Sequence, residues 1–262
     1  MPASLFNAIN FRDFGGCAAA DGFQVKTGML FRSASLDHLH GRNRLMVLDA
    51  RLRTIIDLRP DTERASRVVL LPGVRRITIP LDVDRITRER FLPYLRGNKK
   101  SDDIIEAIVS VYRDIVTLTA PAVRPLFAPI ADPAAYPLCI NCRAGKDRTG
   151  YAAALILRTL GVADDDIVRD YLWTNRNLLP RVRRFTRPLR ILSAGLLPVR
   201  ALEAVLTAHE AALRASFGAI DGTYGGTEGF LDFCGVDATM RSRIRETLLE
   251  KKAPAGNTPA GA

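Results

Sequence analysis

The residues best suited to chemistry lie in one stretch, Ile140-Asn141-Cys142-Arg143-Ala144-Gly145-Lys146-Asp147-Arg148-Thr149-Gly150. An apolar segment runs into it and an Ala/Leu-rich segment runs out, so it reads as a strand-to-helix loop. Cys142 and Arg148 bracket five residues. A short loop at a helix N-terminus can turn successive backbone N–H groups toward one point, and the helix dipole strengthens that anion cradle. The residues that would form it are Arg143, Ala144, Gly145, Lys146, Asp147 and Arg148. Arg148 can close it with a bidentate grip on two phosphate oxygens. The same positive field favours a thiolate, the nucleophilic form of a cysteine, at Cys142. One loop can thus bind a phosphate and place a nucleophile beneath it. The chemistry implied is in-line attack on phosphorus, a phosphocysteine intermediate and its hydrolysis, with no metal or cofactor. Thr149 is placed to donate a hydroxyl hydrogen bond to the sulfur as it leaves.

Two other readings of this stretch are weaker. A Walker A loop needs Gly where Ile140 stands and Ser or Thr where Asp147 stands. Cys139 and Cys142 form a C-x-x-C pair, but such redox pairs open a helix with the first Cys, and Cys139 ends a strand. Cys139 itself reads as a small core residue.

The elements that must position the loop follow from pattern. Strands are expected at 53–58, 74–79 and 136–141, each β-branched or apolar and bounded by Pro, Gly or Asp. A hairpin is expected from Phe23–Val25 and Met29–Phe31 around Thr27-Gly28. Helical periodicity covers 101–118, 149–160, 164–178, 198–216, 229–233 and 237–250. Strands alternating with helices predict an α/β fold with a mainly parallel central sheet, flanked by helices, and a helix-rich C-terminal third. No repeat and no linker-like stretch divides the chain, so residues 1–250 read as one domain. The breaker-rich stretch 251–262 reads as a disordered tail.

At 262 residues, 47% hydrophobic and 25% charged, the chain is an ordinary globular composition rather than a disordered one. The apolar run from Tyr151 to Leu157 stops at Arg158, far short of the ~20 residues of a membrane span. The N-terminus shows no basic region followed by an apolar run, so no signal peptide is visible. Four cysteines at this length suggest a reducing compartment, and a cytoplasmic location is the expectation. The net charge of +10 comes from 38 basic residues, only six of them Lys. A basic, Arg-rich surface favours anionic, phosphate-bearing partners. Arg181, Arg183, Arg184, Arg187 and Arg190 form a stretch with no acidic residue, either a solvated face or a contact for a phosphorylated or anionic lipid surface. No aromatic interleaving accompanies it, so nucleic acid is not expected. The three histidines lie far from the loop in sequence and read as surface or structural.

These motifs together resemble a known family. The loop is similar to the signature of cysteine-dependent phosphatases, in the Cys-x-x-Gly-Lys-Asp-Arg-Thr version of a bacterial and fungal family of tyrosine-phosphatase-like proteins. Asn10-Phe11-Arg12-Asp13-Phe14-Gly15-Gly16, Leu30-Phe31-Arg32-Ser33-Ala34, and Ile55-Ile56-Asp57-Leu58-Arg59 with Glu63 match further family motifs in order, as does Asp170-Tyr171-Leu172 with Thr174-Asn175. The resemblance implies hydrolysis of phosphotyrosine, phosphoserine/threonine or phosphoinositides, with Cys142 as nucleophile, Arg148 as phosphate clamp and Lys146 adding charge at the rim. It implies two alternatives for the acid: Asp147 within the loop, or Asp82 in Pro80-Leu81-Asp82-Val83-Asp84, where related phosphatases carry a mobile acid loop. It also implies a helical lid at 91–118; the simpler reading of that stretch is a crossover helix. Arg12, Asp13, Arg32, Asp57, Arg59 and Glu63 read as ion pairs bracing the loop. Asn141 departs from the family, which usually has His before the Cys. A neutral amide cannot carry that charge, which leaves a phospho-binding pseudophosphatase as the alternative function. A reversible disulfide between Cys139 and Cys142 is a further expectation.

Overall fold

The computed structural model describes residues 10–37, 39–64, 71–81, 83–95, 103–192 and 198–252. The strands are β1 (Arg12–Asp13), β2 (Phe23–Val25), β3 (Leu30–Ser33), β4 (Thr54–Asp57), β5 (Arg75–Thr78), β6 (Leu138–Asn141) and β7 (Leu249–Lys251). The helices are α1 (Gly41–Asp49), α2 (Asp84–Leu95), α3 (Ile104–Ile130), α4 (Asp147–Thr159), α5 (Asp164–Leu192), α6 (Val199–Leu206), α7 (Glu210–Tyr224), α8 (Thr227–Phe233) and α9 (Ala238–Leu248). The central sheet has the order β1-β3-β6-β4-β5. Its inner pairs are parallel, and β1 joins the edge of β3 antiparallel. This is the α/β architecture with a mainly parallel sheet expected from the sequence.

β6 is the middle strand, and all four of its residues are buried. A strand covered on both faces reads as a continuous apolar run rather than an alternating one. Leu138 and Ile140 enter the main core with α3 and α4, whereas Cys139 joins a smaller cluster with Val47, Leu52 and Ile55. That placement puts the C-terminal end of β6 at the centre of the row of parallel strand ends, where open α/β sheets bind ligands.

The structure corrects several expectations. β2 does not form a hairpin with β3. Both edges of β3 are taken, by β1 and β6, and β2 pairs antiparallel with β7 instead. Lys251, expected to begin a disordered tail, is therefore opposite Phe23 in a strand; residues from 253 lie outside the described ones. The helix expected to end at 118 continues to Ile130 through Pro121, Pro125 and Pro129. Pro121 and Pro125 are exposed on one face of the helix, where water can satisfy carbonyls that lose their N–H partners. α5 likewise passes Pro180 and Pro188, both exposed, and ends fourteen residues beyond the expected 178. The stretch 198–216 is two helices, broken at Thr207-Ala208-His209. The segment expected as a lid holds parts of α2 and α3, whose Phe91, Tyr94, Ile104, Ile108, Tyr112 and Ile115 lie in the main core. α3 is thus the crossover from β5 to β6, and it passes beside the signature loop. Among the described residues, no helix is long and apolar enough to cross a membrane.

Candidate active site

The loop between β6 and α4 is held from outside by its carbonyls. Asn141 O accepts from Leu58 N (2.8 Å), Arg143 O from Ser35 N (3.1 Å) and Lys146 O from Gly150 N (2.7 Å). Gly145 O accepts two side-chain donors, Arg32 Nη2 (3.1 Å) and Asn10 Nδ2 (3.2 Å). In a trans, planar peptide the N–H points opposite to the C=O. The N–H groups of Cys142, Ala144, Lys146 and Asp147 are therefore turned away from these donors, as a cradle requires. Gly145 makes the turn at φ +66°, and a Cβ there would sit 2.6 Å from the backbone of Ser33 and Ala34. Any side chain is excluded both by conformation and by space.

The donors to the loop are themselves fixed by buried charge. Arg32, 1% exposed, holds Asp170 through Nη1 (2.5 Å), while Arg12 Nε reaches the other oxygen of the same carboxylate (2.9 Å). Arg12 also donates to Asn10 Oδ1 (2.7 Å), which orients the amide toward Gly145. Burial opposes the charge on Asp170, but Arg32 and Arg12 outweigh it and hold the carboxyl below its ordinary range. Burial and the nearby Arg32 push Arg12 down to about 10. On the other side of the sheet, Arg59 bridges Asp57 (2.7 Å) and Asp37 (2.5 Å), all three buried. The expected ion-pair scaffold is thus present at Arg12, Arg32, Asp57, Arg59 and Glu63, with Asp37 and Asp170 as unforeseen members, whereas Asp13 instead accepts the backbone N–H groups of Gly15 and Gly28.

Cys142 is 3% exposed and Arg148 7% exposed. Arg148 points its Nη1 and Nη2 at the two oxygens of Glu63, both at 2.8 Å. Glu63 comes from a 3-10 turn, Asp61–Glu63, just beyond β4. A fork-to-fork pair of this kind fixes the plane of the guanidinium as well as its position.

Lys146 departs from the expectation of charge at the rim. It is buried, and its ammonium donates to Val205 O (2.6 Å) and Thr207 O (3.0 Å), with Asp147 Oδ1 at 3.3 Å. The α6–α7 junction draws it inward because those carbonyls, at a helix end, have no intrahelical donor. Asp147 is 43% exposed, and Tyr112 O–H donates to its Oδ1 at 2.7 Å. Asp82, the other acid candidate, lies outside the described residues. Arg143 and Ala144 sit on the loop between Cys142 and Gly145 as expected. Both polar atoms of the Asn141 side chain, and Thr149 Oγ1, are buried with no hydrogen-bond partner among the described residues.

Cys139 does not share a face with Cys142. Successive side chains of a strand alternate, and Cys139 lies in the small cluster while Cys142 lies in the main core. The Cys139 thiol packs 3.4 Å from Ser33 Oγ, and burial pushes it up to about 12. This geometry opposes both the expected disulfide and the redox C-x-x-C reading. Among the described residues, no cluster of three His, Cys, Asp or Glu side chains could hold a metal ion. Sequence reasoning missed Tyr112, which lies within the helical periodicity expected over 101–118. A phenol in an otherwise aliphatic stripe was the available signal, because a buried O–H needs a partner.

The chain belongs to the tyrosine phosphatase family, phosphoric monoester hydrolases, whose sequence profile matches residues 3–250. It is 31% identical over 230 residues to a Cupriavidus necator protein assigned as a tyrosine-protein phosphatase, covering 85% of this chain and 80% of that one. It is 29% identical over 276 residues to the triple specificity protein phosphatase PtpB of Mycobacterium tuberculosis, covering 94% and 98%. Among solved structures, Pseudomonas aeruginosa TpbA aligns with 18% identity and a TM-score of 0.32, over 68% of this chain and 96% of that one.

The Asp170 cluster carries a pH dependence. A carboxyl held below its unfolded value, ~3.9, stabilises the fold above that pH, and the contribution is lost as pH falls through the folded value. Asp170→Asn is expected to be less stable than the parent at pH 7 and to lose less further stability between about pH 5 and pH 3. Urea unfolding at the two pH values measures this; an equal acid loss in both proteins would contradict it.

Proposed function

We propose that the chain hydrolyses phosphate monoesters through a phosphocysteine intermediate, with phosphotyrosine, phosphoserine/threonine and phosphoinositides as the substrate range. The observation that carries the proposal is the bidentate Glu63–Arg148 pair beside Cys142. It presents a guanidinium of fixed plane to a loop whose Asn141, Arg143 and Gly145 carbonyls are held by donors from outside it. A guanidinium has a second edge of parallel N–H groups, Nε and Nη2, suited to two oxygens of a phosphate. Cys142 Sγ attacks phosphorus in line, the P–O bond to the leaving group breaks, and the leaving oxygen takes a proton from Asp147. Water then attacks the phosphocysteine and gives its proton to the Asp147 carboxylate, the S–P bond breaks, and Thr149 O–H stabilises the departing sulfur. Asp82 remains the alternative acid. The names of the relatives support this range: a triple specificity phosphatase and the tyrosine phosphatase family itself. Cysteines that all stand unpaired agree with a reducing, cytoplasmic location.

A phospho-binding protein without turnover is the second reading, favoured by one observation, the Asn141 amide before the nucleophile, buried and with no hydrogen-bond partner among the described residues. Turnover by the purified protein separates the two. Cys142→Ser is expected to abolish turnover of an aryl phosphate while retaining phosphate binding, because the cradle is backbone. Arg148→Lys is expected to lose both, since an ammonium cannot reproduce the fork. Turnover by Cys142→Ser near the parent level would place the chemistry elsewhere, and no turnover by the parent itself would favour the binding reading.

The Arg stretch on α5 extends the proposal to an anionic membrane surface. Arg183, Arg184 and Arg187 are exposed, Arg190 pairs with Glu203, and Ile191 stands 71% exposed beside them. Such residues gain about 1 kcal/mol each near an anionic bilayer. Replacing Arg183, Arg184 and Arg187 by Glu is expected to slow hydrolysis of a phosphoinositide in vesicles several-fold and to spare a soluble phosphopeptide. Equal effects on both substrates would show that the stretch is only a solvated face.

A further inference from the structure

Asp147 is the end of a chain of hydrogen bonds that the loop chemistry alone does not require. Tyr112 of α3 and Tyr171 of α5 are both buried, and their hydroxyl oxygens are 2.7 Å apart. Tyr112 O–H is 2.7 Å from Asp147 Oδ1. A carboxylate only accepts, so the single Tyr112 proton is committed to Asp147. Tyr171 must then be the donor to Tyr112. The order of donors is fixed: Tyr171 to Tyr112, Tyr112 to Asp147. The junction between α6 and α7 receives Lys146, through Val205 O and Thr207 O. Two neighbouring residues of the signature loop, Lys146 and Asp147, are thus tied to elements outside it.

The phenols are not proton donors in their own right. Burial, with the nearby Asp147, pushes Tyr112 well above the ordinary phenol value. Tyr171 is raised by burial too. Each keeps its proton, and the chain acts as a fixed strut. We propose that Tyr112, backed by Tyr171, is a positioning residue. It holds one oxygen of Asp147, so that the other, Oδ2, is the one presented to the leaving group. The inference rests on the reading of Asp147 as the acid. The charged and titratable groups around that carboxyl are Lys146 on its own loop, Tyr112 from α3, Tyr171 from α5 and His209 at the head of α7.

Tyr112→Phe keeps the ring and removes only the hydroxyl. General acid catalysis is worth ~10²–10⁴-fold, and loss of orientation should forfeit part of it, about tenfold, for phenyl phosphate. An activated aryl phosphate, whose leaving group needs no proton, should change by less than about threefold. The basic limb of the pH–rate profile should move to higher pH, because a carboxylate stripped of a donor holds its proton longer. Tyr171→Phe should give a smaller effect of the same kind. The double variant should be no worse than Tyr112→Phe alone, because both act on one carboxylate. Should Tyr112→Phe not fold, Tyr171→Phe carries the same leaving-group and pH readouts. Asp147→Asn, assayed beside them, separates the two levels of the argument. If Asp147→Asn is selective for the poor leaving group and the Tyr variants are not, the strut is structural and this inference fails alone. If Asp147→Asn shows no selectivity, the acid assignment fails and the inference falls with it. Equal slowing with both substrates, or no change, in the Tyr variants also overturns it.

Discussion

A backbone cradle can face inward only if its carbonyls are satisfied outward, and Gly145 is where that constraint is hardest to meet. Its positive φ turns the chain between the strand and the helix, and its carbonyl needs donors that come from neither. Asn10 and Arg32 supply them. Asn10 precedes β1 and Arg32 lies within β3, so the antiparallel edge of the sheet exists, in functional terms, to bring two side chains to one carbonyl. Gly150 meets a related limit one turn into α4, where a Cβ would stand 2.7 Å from the Tyr171 ring. The closeness of α4 and α5 that this glycine permits is what lets Asp170 reach Arg32 and Tyr171 reach Tyr112.

Buried charges carry most of the bracing, and their arrangement accounts for why that is tolerable. An ion taken out of water is expensive unless its lone pairs and protons are nearly all used. Arg59 meets that condition with two carboxylates, and the fork of Glu63 takes up one edge of Arg148. Arg32 spans Asp170 and the Gly145 carbonyl. Each pairing sets an orientation that a single ammonium would leave free, which fits the strong preference of this chain for Arg over Lys. The one buried Lys near the site, Lys146, is spent on backbone carbonyls where no fork is needed. Asn141 departs from this economy, as do Arg32 Nε and Thr149 Oγ1. Asn141 stands buried in the row of strand ends that includes Ser33 and Asp57, and neither of its amide atoms has a hydrogen-bond partner among the described residues.

The loop was legible because it is local. Cys142, Gly145 and Arg148 occupy fixed offsets within one turn, and the strand and helix around them follow from periodicity. The parallel core strands were legible for the same reason. What the sequence hid was set by distant partners. The pairing of β2 with β7 joins residues more than two hundred positions apart, and local turn chemistry at Thr27-Gly28 pointed to a nearer strand. α3 and α5 run past the ends that periodicity gives them, at 118 and 178, because the exposure that lets them carry prolines is a tertiary fact. Lys146 looked like rim charge because the carbonyls that hold it lie some sixty residues on, and Tyr112 looked like core because its only polar atom meets Asp147 from across the fold.

The central claim is that the cradle is shaped from outside, by the two donors on the Gly145 carbonyl. Binding of tungstate, an unreactive phosphate mimic, measured by calorimetry on the parent and on an Asn10→Ala, Arg32→Lys variant, tests it most directly. Loss of a charge-assisted hydrogen bond is worth ~1.5–3 kcal/mol, so affinity should fall by at least about tenfold while the variant still melts cooperatively. Unchanged tungstate affinity in a folded variant would contradict the account, because the loop would then hold its shape without the donors assigned to it.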